Sequence, residues 1–401
     1  MDSLTTLSML NKLFPFNDFL YLLQLEEYDS TRYVRLLPRF FFRRKFQKRQ
    51  RLVFTSRIKT TLAFSIFLTF LGALGFFVFT ILLIPVWVLI ANIILDPIYL
   101  KIKLNIQKKA TNYFADNFNG KVIAVAGSYG KTTTKNYIYE LVKFNYKTQM
   151  VPGNINTPTG IAIWVLNKLD KNTRILIVEM DSYFIGEIAR SCKITPPDIA
   201  ILTNVGDQHL ERLGTKANLT KALHEVFDYA KVDAIKIENK KTNLDYALEV
   251  AKILQIPKDI IKDTVKKLEK PDRRGNIIDM YGFKTIDESY NISETTAKFG
   301  LQNALLKAEE EEKKLIVITG GIPELGEENK SANIDYGKLL AKSHIEIILM
   351  KTILHKDVLK GLNKNVLLAE GMTDAWKIIQ KKYNAEKYIV LMQPELGDNY
   401  Y

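Results

Sequence analysis

Val122–Ile–Ala–Val–Ala–Gly127–Ser–Tyr–Gly130–Lys131–Thr132–Thr133–Thr134–Lys135 is the stretch on which the fold turns. Its first five residues are apolar and β-branched or small, the composition of a buried strand. Its last five open a helix-compatible run. Between them, two glycines three residues apart let the backbone curl so that its N–H groups face phosphate oxygens. Gly127, Ser128, Tyr129 and Gly130 supply that backbone. Lys131 supplies a positive charge for terminal phosphates, Thr132 a hydroxyl suited to Mg²⁺, and Thr133 lies in the first helical turn, whose N-terminus favours anions. The spacing is shorter than in the common GxxxxGK[ST] loop.

Outward from this loop the pattern alternates. Lys121–Ala126, Arg174–Val178 and Ile199–Thr203 read as strands, and Lys135–Phe144 and Ile185–Cys192 as helices. That βαβα rhythm implies a parallel sheet covered by helices, an α/β fold. Asn243–Leu254 and Ile260–Leu268 read as helices. A second α/β set begins near Phe283, with strands at Lys314–Thr319, Ile345–Met350 and Tyr388–Met392. The expected division is 1–110, 111–275 and 276–401.

The first of these parts is different in kind. Net charge is +13 over 401 residues, and its placement is uneven. From Thr31 to Leu95 there is no Asp or Glu, while Arg32, Arg35, Arg39, Arg43, Arg44, Lys45, Lys48, Arg49, Arg51, Arg57 and Lys59 gather ahead of an uncharged run, Thr60–Leu95. No nucleic-acid motif accompanies the charge, so anionic lipid head groups are the expected partner and nucleic acid is not. One spanning helix needs about 20 residues. Lys101, Lys103, Lys108 and Lys109 follow the run, so both flanks prefer the cytoplasmic side and an even number of crossings satisfies both. A transmembrane hairpin over about 60–98, turning near Thr80–Pro85, is predicted, with a single tilted helix as the alternative. Met9–Leu25 reads as interfacial, and Met1–Asn11 lacks the basic start of a cleavable signal. Cys192 is the single cysteine, which excludes an intrachain disulfide and fits a small buried side chain.

The loop GxxGKTT resembles the ATP loop of the Mur ligase family, and further landmarks follow in that family's order. Gly153–Asn154–Ile155–Asn156–Thr157–Pro158–Thr159–Gly160 is similar to its GN(x)N loop. Ile177–Val178–Glu179–Met180 with Ile185–Gly186–Glu187, and Pro197–Gly206 with Gln208–His209–Leu210–Glu211, resemble two more. Asp287–Asn291 and Gly320–Gly326 resemble landmarks of the branch that adds D-Ala-D-Ala. The resemblance implies a central P-loop ATPase domain and a C-terminal Rossmann-like domain, here preceded by a helical membrane hairpin. It also implies an ATP-dependent amide ligase of peptidoglycan precursor synthesis, acting through an acyl phosphate on a muramyl peptide or related carboxylate and an amino acid or dipeptide amine. ATP and Mg²⁺ are the implied cofactors. By residue, the resemblance assigns Lys131 to the phosphates, Thr132, Glu179 and His209 to Mg²⁺, Asn154 to the γ-phosphate or substrate carboxylate, Asp287 or Glu288 to the ribose, and Arg273 to the phosphates. Asn243 falls at an adenine-side position.

Three departures stand against it. The family's carbamylated lysine falls on Leu223, which cannot bind metal; Glu225 is the nearest compensating carboxylate, and Lys221 points elsewhere on a helix. The stretch Phe227–Asn243 is short. The membrane segment stands where a sugar-nucleotide-binding domain is expected. A poly-γ-glutamate-synthetase-like ligase, or a nucleotide-binding membrane scaffold in a cell-wall complex, are the rival readings.

Overall fold

The computed structural model describes residues 15–41, 51–73, 82–153, 155–206, 210–269, 271–342, 345–363, 366–397 and 400. The chain divides into two compact units, residues 1–104 with 396–401 and residues 105–395. Both α/β sheets lie in the second, and the expected limit at residue 110 falls inside a helix.

The first unit is helical. Helices α1 (Phe16–Leu25), α2 (Ser30–Phe41), α3 (Ser56–Ala73) and the opening of α4 (Ile84–Asn117) enclose Phe19, Leu20, Leu22, Leu23, Tyr33, Ile58, Ile84 and Val88. The uncharged run thus appears as two helices, with residues 74–81 and part of the expected turn outside the described residues. Helix α4 does not stop where the lysines begin. It passes through Pro97 and Lys101–Lys109 to Asn117, because straight-chain residues such as Lys, Leu and Gln sustain a helix whatever their polarity. Among the described residues, this helix alone is long and apolar enough to cross a membrane.

The second unit opens with β1 (Lys121–Ala126), followed by α5 (Lys131–Val142), β2 (Thr148–Met150), α6 (Pro158–Lys168), β3 (Ile175–Glu179), α7 (Glu187–Ile194), β4 (Ile199–Leu202), α8 (Leu210–Leu213), α9 (Lys216–Asp228) and β5 (Ile235–Ile237). These strands form a parallel sheet ordered β2-β3-β1-β4-β5. Central β1 has neighbours on both edges and helices on both faces, which is why its sequence is a continuous apolar run. Its register pairs Val125 with Glu179 and Ala126 with Leu202. The carboxyl ends of β1, β3 and β4 therefore meet at one rim, the place where open α/β sheets bind ligands.

Helices α10 (Asn243–Ile253) and α11 (Lys258–Val265) precede the second sheet, and α10 is started by a Thr242–Asp245 capping box. The second sheet contains β6 (Asn276–Met280), β7 (Phe283–Asp287), β8 (Lys314–Thr319), β9 (Ile345–Met350), β10 (Leu367–Ala369) and β11 (Tyr388–Met392), ordered β10-β9-β8-β11-β7-β6. Only β6 runs antiparallel. It begins before the expected start near Phe283, and its hairpin turns on Tyr281 and Gly282, both at positive φ, as a two-residue hairpin turn requires. Helices α12 (Glu294–Glu310), α13 (Asn329–Ala341), α14 (His355–Leu362) and α15 (Met372–Lys382) accompany this sheet.

Leu223 on α9 is 2% exposed and packs in the core that includes Val178, Met180, Leu219 and Val226. Leu223→Ala should lower unfolding free energy by about 2–5 kcal/mol through lost burial and a residual cavity. Denaturant unfolding of the two proteins checks this, and equal midpoints would contradict the placement.

Candidate active site

The loop between β1 and α5 needs its two glycines. Gly127 has φ of 138°, and a Cβ there would stand 2.1 Å from Thr203 Oγ1; Gly130 has φ of 86°, and a Cβ there would stand 2.4 Å from Asn243 Oδ1. The neighbouring strand holds the loop in place. Ser128 N–H donates to Asn204 O at 2.7 Å, and Thr203 Oγ1 donates to Tyr129 O at 2.7 Å. Thr134 N–H closes the first helical bond on Gly130 O. The N–H groups of Lys131, Thr132 and Thr133 belong to the turn that has no intrahelical acceptors. Asn243 thus lies against the loop itself, where its Oδ1 accepts from Thr134 Oγ1 at 3.3 Å.

Below the loop, the end of β3 presents Glu179, 2% exposed. Four groups converge on it or on its partner. Thr132 Oγ1 donates to Glu179 Oε2 at 2.9 Å, and Asn156 Nδ2 donates to Oε1 at 3.4 Å. Lys135 Nζ stands 3.2 Å from Oε2 and donates to Val151 O at 3.0 Å. Arg274 Nη2, from the segment leading into the second sheet, donates to Thr132 Oγ1 at 3.1 Å, and its guanidinium lies 4.1 Å from the Tyr290 ring centroid. Lys131 curls over the loop, donating to Gly127 O at 2.6 Å and pairing with Asp181 Oδ2 at 3.2 Å.

Charge explains this arrangement. Glu179 and Asp181 face Lys131, Lys135 and Arg274, leaving the cluster with an excess of positive charge suited to an anionic ligand. Lys135 is completely buried. Burial holds its pKa below the ordinary lysine value, Glu179 pulls it back up, and Arg274 pushes it further down. The Thr132 hydroxyl and Glu179 carboxylate are hard oxygen donors 2.9 Å apart. Mg²⁺ is usually bound by one or two such protein groups, with water and phosphate oxygens completing the shell. The residues fit that ion. No cluster of three or more His, Cys, Asp or Glu suited to a metal is found among the described residues.

Of the residues singled out in the sequence, Gly127, Ser128, Tyr129, Gly130, Lys131, Thr132, Thr133 and Glu179 come together here. Asn154 and His209 lie outside the described residues. Asp287 and Glu288 close β7 of the other sheet, where Asp287 Oδ1 accepts Ser289 N–H at 2.9 Å. Arg274 reaches the loop where Arg273 was expected to; Arg273 sits at φ of 62° between the sheets' connecting segment and β6. Lys135, Asn156, Asp181 and Arg274 were assigned no role from sequence. For Lys135 the available signal is its position four residues after Lys131, one helical turn along the same face. Glu225, the carboxylate nearest to the missing lysine, is engaged with backbone. Its oxygens accept Gly186 N–H at 2.5 Å and Ala189 N–H at 3.0 Å, anchoring the start of α7. Lys221 is exposed. Cys192 is buried beside Met180, and burial pushes its thiol pKa up to about 12, so it is a packing residue.

Residues 125–306 match the family described as the Mur ligase middle domain. The chain is 33% identical over 132 residues to the UDP-N-acetylmuramoyl-tripeptide–D-alanyl-D-alanine ligase of Bacillus subtilis (strain 168), covering 33% of this chain and 28% of that protein. It is 30% identical over 123 residues to the ligase of the same name from Escherichia coli (strain K12), covering 31% and 27%. These matches thus span under a third of the relatives' length. Among solved structures, the MurF ligase from Thermotoga maritima in complex with ADP superposes with a TM-score of 0.65 at 23% identity, covering 73% of this chain and 80% of that one. E. coli FolC in complex with DHPP and ADP superposes with a TM-score of 0.51 at 13% identity, covering 72% and 89%. The glycine loop, the rim of converging strands and the second sheet thus share one known architecture: residues 125–306 match the Mur ligase middle domain, and the chain has the Mur ligase fold.

Proposed function

We propose that the chain is an ATP-dependent carbon–nitrogen ligase that joins the carboxylate of a muramyl peptide to the amine of an amino acid or dipeptide, D-Ala-D-Ala being the favoured amine. The observation that carries this reading is the Thr132–Glu179 contact beneath a glycine loop, with Lys131, Lys135 and Arg274 around it. Such a cluster binds a nucleotide triphosphate tail and holds charge where phosphoryl transfer needs it. A carboxylate oxygen of the first substrate attacks the γ-phosphorus and ADP departs. The amine nitrogen then attacks the acyl carbon of the mixed anhydride, the C–O bond to phosphate breaks, the nitrogen loses a proton, and amide and phosphate are released.

In that reaction Lys131 gives up its hold on the loop carbonyls to meet phosphate oxygens. Thr132 and Glu179 would hold Mg²⁺, which neutralises charge developing on the transferred group. Lys135 keeps Glu179 turned towards Thr132. Arg274 brings a cation from the second sheet's side of the unit. Asn154, Asp287 and Glu288 remain candidates for the substrate and the ribose, and His209 for a second ion. We further place the helical unit at an anionic cytoplasmic membrane surface, with the α/β unit on the cytoplasmic side near other cell-wall enzymes. A second reading, a nucleotide-binding scaffold, is favoured by one observation: Leu223 is core and Glu225 is committed to α7, so neither takes the modified lysine's place.

Phosphate release with a panel of UDP-muramyl peptides and amines separates the two. The ligase should release phosphate only when carboxylate and amine are both present; a scaffold releases none with any pair. Lys131→Ala should reduce turnover at least about a hundredfold, the scale of losing a charge-stabilising donor, and unchanged turnover would remove the site from consideration. Arg274→Gln should lower kcat by roughly ten- to a hundredfold while leaving nucleotide affinity in a titration within a few-fold. Equal kcat would show that the contact with Thr132 is incidental.

A further inference from the structure

Helix α3 is inside out. In a water-soluble helix the apolar face turns inward. Here the buried residues are Arg57, Thr61, Ser65 and Thr69, four residues apart, with Ile58 the one apolar member, whereas Ile66, Phe67, Phe70 and Leu71 face outward. Phe67 is 52% exposed and Phe70 is 64% exposed, while Thr61 and Ser65 are fully buried. Two of the three inward hydroxyls are satisfied within the helix, Ser65 Oγ donating to Thr61 O at 2.6 Å and Thr69 Oγ1 to Ser65 O at 2.8 Å, while Thr61 Oγ1 has no hydrogen-bond partner among the described residues. Small residues every fourth position let helices approach closely, a device of helix packing in lipid. Helix α4 buries Asn92 beside apolar Ile84, Val88 and Ala91, and it too exposes aliphatic side chains, Ile93, Ile94, Ile98 and Leu100.

Arg57 and Asn92 form a polar node at the inner seam, with the buried Arg57 Nε left without a hydrogen-bond partner among the described residues. Arg57 Nη2 donates to Asn92 Oδ1 and to Asp96 Oδ1, both at 2.8 Å, and the guanidinium lies 4.0 Å from the Tyr28 ring centroid. Asn92 Nδ2 donates to Tyr28 O at 2.8 Å and Ser30 Oγ at 3.0 Å. Arg57 and Asn92 are buried, whereas Asp96, 60% exposed, sits at the basic end of the helices next to Lys101. A buried guanidinium–amide pair with aliphatic and aromatic side chains outward suits a hydrocarbon surround. Basic residues flank the outward face, Arg51 and Lys59 before it and Lys101 after it, with no acidic residue between Thr31 and Leu95. That charge complements anionic head groups.

We propose that α3 and α4 form a helical hairpin embedded in a bilayer containing anionic lipid, with the buried Arg57–Asn92 contact locking the two helices together from within and Asp96 pairing with Arg57 at the head-group end. This deepens the membrane placement given above and rests on it, but not on the ligase chemistry.

The test uses the full chain, purified and reconstituted with vesicles of phosphatidylethanolamine and phosphatidylglycerol. Wild type should stay with the vesicles after alkaline extraction, and brominated lipid should quench the fluorescence component lost in Trp87→Phe. Phe67→Glu with Phe70→Glu should raise the extracted fraction by roughly tenfold or more, with the released protein still binding ATP. A protein extracted as a monomer or as a soluble dimer, or a double variant held as firmly as wild type, would overturn the proposal. If the double variant fails to bind ATP, the Trp87 signal in wild type decides, and no quenching refutes embedding. Reporters fused after Gln50 and after Ala110 should both read cytoplasmic; opposite sides would refute the hairpin. Phosphate release by the detergent-solubilised chain reads the ligase site separately.

Discussion

A carboxylate shut away from water at the end of a parallel strand is stable only if every lone pair finds a partner, and Glu179 is organised on that constraint. Thr132, Asn156 and Lys135 each reach it, from the helix after the glycine loop, from the loop after β2, and again from that helix. Breaking such a buried pair by removing one member leaves an uncompensated charge and typically costs 3–5 kcal/mol. The pairing therefore fixes more than one side chain. It holds α5, the 151–156 loop and β3 in one register, and Asp181 N–H adds a bond to Asn156 O at 3.1 Å.

The glycine loop is the other half of the same device. Gly127 and Gly130 leave no room for a side chain because Thr203 and Asn243 pass so close, and that closeness keeps the loop curled over the carboxylate. Arg274 then couples the second sheet to the first through a single hydroxyl, Thr132, which also faces Glu179. Leu210–Leu213 adds a backbone tie, Glu211 N–H to Glu324 O at 2.9 Å. A ligand at the loop thus meets groups from both sheets, which is what a two-substrate joining reaction asks of its scaffold.

Much of this is legible in the chain. The apolar runs at Lys121–Ala126, Lys314–Thr319, Ile345–Met350 and Tyr388–Met392 become strands with those limits, because central parallel strands need apolar side chains on both faces. The loop is legible because glycine and lysine at fixed spacing have a local cause. Short edge strands such as Ile235–Ile237 and Leu367–Ala369 have no such pattern, being too brief for periodicity. Lys135 and Arg274 escape for another reason. Their partners lie 44 and 142 residues away, and only folding brings them together. The positive φ of Arg273 and Gly275 sets which of two adjacent arginines faces the loop, a choice no composition reveals. Leu223 and Glu225 are similar: the sequence shows a missing lysine, and the fold shows what stands in its place.

The central claim is that the groups around Glu179 and Lys131 activate a carboxylate by phosphorylation before an amine displaces the phosphate. A substrate carboxylate labelled with ¹⁸O tests this most directly. The account predicts that each phosphate released with product carries one labelled oxygen, inherited from the carboxylate when the acyl–oxygen bond breaks. Phosphate without label, its new oxygen drawn from water, would show simple nucleotide hydrolysis and contradict it.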